Sequence, residues 1–100
     1  MGEGLGIDEV LGPHRKGILR LARKYRARNV RVFGSVRRKE ANQESDIDLL
    51  VEWPKRLRGA DPIGFRIAVS ELVGRPVDVV DEDGLYWSFR PQVIAEAVPL

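Results

Sequence analysis

From Asp46 to Glu52 the chain alternates. Ile47, Leu49 and Val51 fall on one side of an extended segment, and Asp46, Asp48 and Leu50 on the other. That period of two predicts a strand, ended by Pro54. Two shorter apolar runs, Val30 to Phe33 before Gly34 and Val77 to Val80, predict two more. Ile18, Leu21, Ala22 and Tyr25 recur as one helical stripe, with Arg20, Arg23, Lys24 and Arg26 mostly off it. This helix is expected to begin near Pro13 and to stop at Asn29. Asp61 reads as the cap of a second helix, with Pro62 in its first turn and Ile63, Ile67, Val69 and Leu72 among its apolar residues; Gly74 closes it. Ser88 is the expected cap of a last helix carrying Val93, Ile94 and Ala97. Residues 1–12 read as a loosely ordered lead-in with a short turn at Ile7, Val10 and Leu11. Residues 35–44 leave room for one exposed helical turn, and Lys55 to Ala60 reads as a polar loop.

Helices alternating with strands predict an α/β (α+β) fold: a small mixed β-sheet of about three strands flanked by helices. One hundred residues correspond to a single domain with one modest core. The 43% apolar and 32% charged shares fit a globular chain. The absence of cysteine excludes disulfides, zinc–thiolate sites and thiol nucleophiles. No apolar run approaches the roughly 20 residues needed to span a bilayer. The acidic start MGEGLGIDEV has no signal-peptide pattern, so the cytoplasm is the expected location.

Charge changes the picture more than composition does. The net charge of +2 hides eleven Lys and Arg within residues 12–39, where there is no Asp or Glu. Residues 1–11 sum to −3 and residues 40–100 to −6. Such a block suits nucleic acid, nucleotide phosphates or an acidic partner, and equally a solvated helix face.

Asp46 and Asp48 share one strand face, about 6–7 Å apart along the chain. Two carboxylates side by side resist joint ionisation, and a hard divalent cation removes that cost. A solvent-facing edge strand explains the pair as well. Asp78 is the acid embedded in the other candidate strand. If the two strands are neighbours, three carboxylates could hold two cations about 3.5–4 Å apart and clamp both oxygens of a phosphoryl transfer. Gly34 allows close backbone approach to a phosphate, Ser35 adds a hydroxyl, and Arg37, Arg38 and Lys39 could neutralise a triphosphate. Asp81, Glu82 and Asp83 read as a solvated turn, and His14 as exposed rather than catalytic.

The spacing joins these parts. Gly34-Ser35, ten intervening residues, then Asp46-x-Asp48, preceded by one apolar strand and followed by another acidic one, resembles the DNA polymerase beta-like nucleotidyltransferase superfamily. VFGSVRRKEANQESDIDLLVEW resembles its smallest branch, the minimal nucleotidyltransferases. RPVDVVDEDGL resembles that branch's third-carboxylate strand and FRPQVIAEAVPL its closing helix. Members often have a glycine after the arginine that aligns with Arg38; here the residue is Lys39. The resemblance implies that Gly34, Ser35 and Arg38 bind the phosphates of ATP, and that Asp46 and Asp48 ligate Mg²⁺. It implies that Asp78 completes a second metal site and assists deprotonation of an acceptor hydroxyl. It further implies transfer of AMP to a partner protein, a helical RNase toxin of the HEPN type, for which this chain would be the antitoxin. Trp53, Tyr86, Trp87 and Phe89 flank the acidic strands and serve either docking of such a partner or packing in core and rim. Two other readings stay open: an antitoxin that acts by contact alone, and a small nucleic-acid-binding module built on the basic helix.

Overall fold

The alternation after Asp46 becomes the centre of a four-stranded sheet. The computed structural model describes residues 4–54 and 60–100. In chain order the elements are α1 (Ile7–Val10), a 3₁₀ turn (Gly12–His14), α2 (Arg15–Tyr25), β1 (Arg28–Phe33), α3 (Gly34–Arg37), β2 (Ile47–Glu52) and α4 (Pro62–Val73). β3 (Val77–Asp81), a second 3₁₀ turn (Glu82–Gly84), α5 (Arg90–Glu96) and β4 (Val98–Pro99) follow. The strand order is β3-β2-β1-β4. β1 runs antiparallel to β2 and β4, whereas β2 and β3 are parallel and joined by the α4 crossover.

One face of this sheet is the core. Ile47, Leu49, Val51 and Val32 are fully buried in one cluster with Ile18 and Ala22 of α2 and Phe65 and Val69 of α4. The stripe read from the sequence of α2 is therefore the buried one at Ile18 and Ala22, with Leu21 and Tyr25 half-buried beside it. α4 begins and ends where its local chemistry dictates. The Asp61 carboxylate accepts the Gly64 N–H at 2.9 Å, Pro62 opens the helix, and Gly74 closes it at φ +70°. Trp53 packs edge-on against Phe65 at 5.8 Å between ring centroids, so it belongs to the core rim.

Several boundaries differ from the sequence reading. Pro13 lies in the 3₁₀ turn that leads into α2. Arg26, at φ +69°, ends α2, and Asn29 instead sits inside β1 at φ +52°, where the register with β2 is irregular. Ser88 caps nothing; Phe89 precedes α5 without a side-chain cap. The closing segment continues past its helix into β4, a two-residue strand too short to show an alternation. Within the expected loose lead-in, residues 4–11 are held down. Leu5 and Ala41 exchange backbone hydrogen bonds at 2.7 and 3.2 Å, and Val10 and Leu11 are buried. Apolar side chains at the right spacing found a core there that the short acidic segment does not advertise. The polar loop expected at Lys55 to Ala60 lies, apart from Ala60, outside the described residues.

Lys39 gives the first testable consequence. Its backbone is left-handed at φ +60°, a conformation that glycine adopts at no steric cost. A side chain there costs about 1–2 kcal/mol, part of which glycine's chain entropy offsets. Lys39→Gly is expected to stabilise the protein by about 0.5–1 kcal/mol, read as a higher urea midpoint.

Candidate active site

The second face of the sheet carries the acids. Asp48 on β2 is the register partner of Phe33 on β1 and of Asp78 on β3. Partners across a parallel ladder point the same way, so Asp48 and Asp78 project side by side. Asp46, one residue before β2, falls on the same side by alternation. Asp46 and Asp78 are exposed and Asp48 is half-buried. Burial pushes the Asp48 carboxyl above its ordinary range, and the neighbouring Asp78 and Asp46 charges push it further, against a smaller opposing pull from Arg38.

Gly34 closes this site from β1. Its φ is +77°, and a Cβ built on it would stand 2.9 Å from Asp48 Cγ. The residue must therefore be glycine twice over, for its backbone and for the carboxylate above it. Ser35 follows as the second residue of α3 and is half-buried. Arg38, directly after α3, is exposed and reaches Glu40 at 3.1 Å and Glu96 at 2.8 Å. Its guanidinium pKa is raised by these partners, Glu96 first.

Glu96 is the residue that the sequence reading passed over. It is the last residue of α5, and its Oε2 accepts the Gly34 N–H at 2.8 Å. An acid near the end of the closing helix was the available signal, but nothing local links it to a glycine 62 residues earlier. The basic block divides. Arg15, Lys16, Arg20, Arg23, Lys24, Arg26 and Arg28 are exposed, while Arg31 is buried on β1 and donates to Glu82 at 2.6 Å. Glu82 is thus a half-buried ion-pair partner rather than a solvated turn residue, and Arg31 holds its carboxyl below the usual range. His14 is half-buried in its 3₁₀ turn. Among the described residues, no helix is long and apolar enough to cross a membrane.

The donor set fits a hard divalent cation. Three carboxylates gather on one face, and their mutual repulsion is already felt at Asp48. Among the described residues no three acidic or histidine groups form a cage for an ion by themselves. Mg²⁺ needs none, because it takes one or two carboxylates and completes its shell with phosphate oxygens and water.

A mixed sheet that sets acids of two parallel strands beside a Gly-Ser turn suits a class of proteins that bind nucleotide phosphates for transfer. Residues 14–100 match the family described as the nucleotidyltransferase domain. The chain belongs to that family and is an enzyme of that class. It is 30% identical over 92 residues to the protein adenylyltransferase MntA of Thermococcus cleftensis, covering 92% of this chain and 90% of that protein. A solved structure provisionally described as a minimal nucleotidyltransferase superposes with a TM-score of 0.80 at 42% identity, covering 92% of this chain and 94% of that one. A second, described as a toxin–antitoxin with AMP-PNP, shares the fold at a TM-score of 0.69 and 22% identity, over 84% of this chain and 69% of that one.

Proposed function

We propose that this chain transfers AMP from ATP, with Mg²⁺, to a hydroxyl of a partner protein in the cytoplasm, and that it acts as antitoxin to a helical HEPN-type RNase. The observation that carries the reading is the in-register pairing of Asp48 with Asp78 beside Gly34. The similarity to a named protein adenylyltransferase over nine-tenths of both chains supports the acceptor class. Of the fold neighbours, one is described as a toxin–antitoxin with AMP-PNP and another as the toxin–antitoxin MntA-HpeT.

In this reading Gly34 N–H, Ser35 and Arg38 orient the β- and γ-phosphates, so that the bond to the leaving pyrophosphate lies in line with the acceptor oxygen. Asp46, Asp48 and Asp78 would hold the metal ions. Mg²⁺, when bound, spreads and neutralises the charge that develops on the phosphoryl oxygens. Asp78 takes the acceptor proton as the oxygen–phosphorus bond forms. The bond from the α-phosphorus to the bridging oxygen breaks, and pyrophosphate carries away that electron pair. Exposed Tyr86, Trp87 and Phe89, adjoining β3 through the Glu82–Gly84 turn, offer apolar surface for the partner.

The test is to purify the chain together with the product of the neighbouring reading frame, and then to weigh both intact after incubation with ATP and Mg²⁺. A gain of one or more AMP units on the partner is the expected result. A stable complex without any gain would replace transfer by neutralisation through contact. Failure to bind the partner, with salt-sensitive binding of RNA instead, would assign the function to the exposed cations of α2.

A further inference from the structure

Glu96 meets the proposed phosphate loop with its whole carboxylate. Its two carboxylate oxygens take two different donors: Oε2 the Gly34 N–H, and Oε1 the Arg38 Nη1, each at 2.8 Å. Arg37 Nε donates to the Glu96 carbonyl at 2.9 Å, which fixes the end of α5 over the loop. A cavity of about 280 Å³ opens beside the contact, lined by Phe33, Gly34, Arg38, Gln92, Val93 and Glu96. A carboxylate bridging a backbone amide and a guanidinium makes the pair of charge-assisted hydrogen bonds that a phosphate would make.

The Gly34 donor cannot serve two anions, and a guanidinium already paired with Glu96 and Glu40 attracts a phosphate less strongly. The Gly34 amide carries one hydrogen, and a carboxylate left in place would face the incoming phosphate charge. We infer that Glu96 competes with phosphate for this loop and has to release the Gly34 amide before a triphosphate can seat there, so that this carboxylate sets nucleotide affinity. The inference rests on the assignment of Gly34 and Arg38 to the phosphates. Glu96 is well suited to the task. Burial would push its carboxyl up, but the Arg38 and Gly34 hydrogen bonds outweigh burial and hold it below the usual range. It is thus charged, and competing, throughout neutral pH.

The experiment measures binding of inorganic triphosphate and of Mg·ATP by calorimetry, on the full-length chain. The variants are Glu96→Gln, which keeps the shape, Glu96→Ala, which removes all contact, and Arg38→Ala; a thermal melt confirms that each is folded. Both Glu96 variants are expected to bind both anions about tenfold more tightly than the wild type, and Arg38→Ala more weakly. Wild-type or weaker affinity in both Glu96 variants, alongside a loss in Arg38→Ala, overturns the inference and leaves the nucleotide site standing. Affinities that do not respond to Arg38→Ala remove the phosphate assignment itself, and the inference falls with it.

Discussion

Asp48→Asn is expected to abolish transfer while making the nucleotide-free protein more stable. The loss follows from position: Asp48 is flanked by Phe33 and Asp78 across the sheet and lies against Gly34, so of the three proposed metal-holding acids it is the one set against the phosphate loop. Removing one preorganised electrostatic partner of a phosphoryl transfer costs about 10²–10³-fold, and loss of a metal ligand lies at or beyond the upper end. The gain in stability has the opposite origin. Burial, Asp78 and Asp46 raise the folded Asp48 pKa. A carboxyl raised in this way favours the folded state while it is protonated, and that advantage is lost as pH climbs from the ordinary carboxylate range through the folded value. At neutral pH the ionised group therefore weighs against folding. Asparagine removes that charge, so the variant's melting temperature should exceed the wild type's at pH 7, and the difference should shrink in acid. Mg²⁺ with ATP should raise the wild-type melting temperature and leave the variant's unchanged. Undiminished transfer by Asp48→Asn would end the catalytic assignment of this strand.

Gly34→Ala is the second large effect, and it should damage stability and binding together. The left-handed backbone at φ +77° costs an alanine about 1–2 kcal/mol. The new methyl also meets the Asp48 side chain, 2.9 Å from Cγ, and one of the two must move. With that collision added, the expected loss is about 2–4 kcal/mol in a urea titration. Binding of Mg·ATP should fall below detection, because the displaced residues are the amide and the carboxylate that face the nucleotide. Ser35→Ala is the control, since a helical residue in α3 accepts a methyl without strain. Its stability should stay near the wild type's, with a smaller loss of affinity. Equal nucleotide binding by Gly34→Ala and the wild type would show that the loop does not hold phosphate.

Much of this was legible in single stretches of chain. The limits of α4 were written in Asp61, Pro62 and Gly74, and each acts where expected. The alternation of β2 put Ile47, Leu49 and Val51 into the core. Leu50 was misleading only in part. It lies on the acid face by alternation, yet it is fully buried, because Arg31 stands opposite it in the ladder and is itself buried, tied to Glu82. The aromatics could not be sorted locally either. Trp53 reaches Phe65 across the fold, whereas Trp87 keeps 85% of its surface exposed. A side chain's own identity does not say whether another element will cover it.

By itself, then, the amino-acid order determined the period of β2, the spacing of Gly34-Ser35 from Asp46 and Asp48, and the ends of α4, since each depends on residues within a few positions of one another. The tertiary structure alone decided that Asp78 would stand beside Asp48 and that Glu96 would close on Gly34 and Arg38. Those meetings join segments 30 and 62 residues apart. They exist because α4, with Phe65 and Val69 buried, returns the chain parallel to β2, and because α5 comes to rest beside α3, where Glu96 meets Gly34, Arg37 and Arg38; neither placement is set by a local pattern.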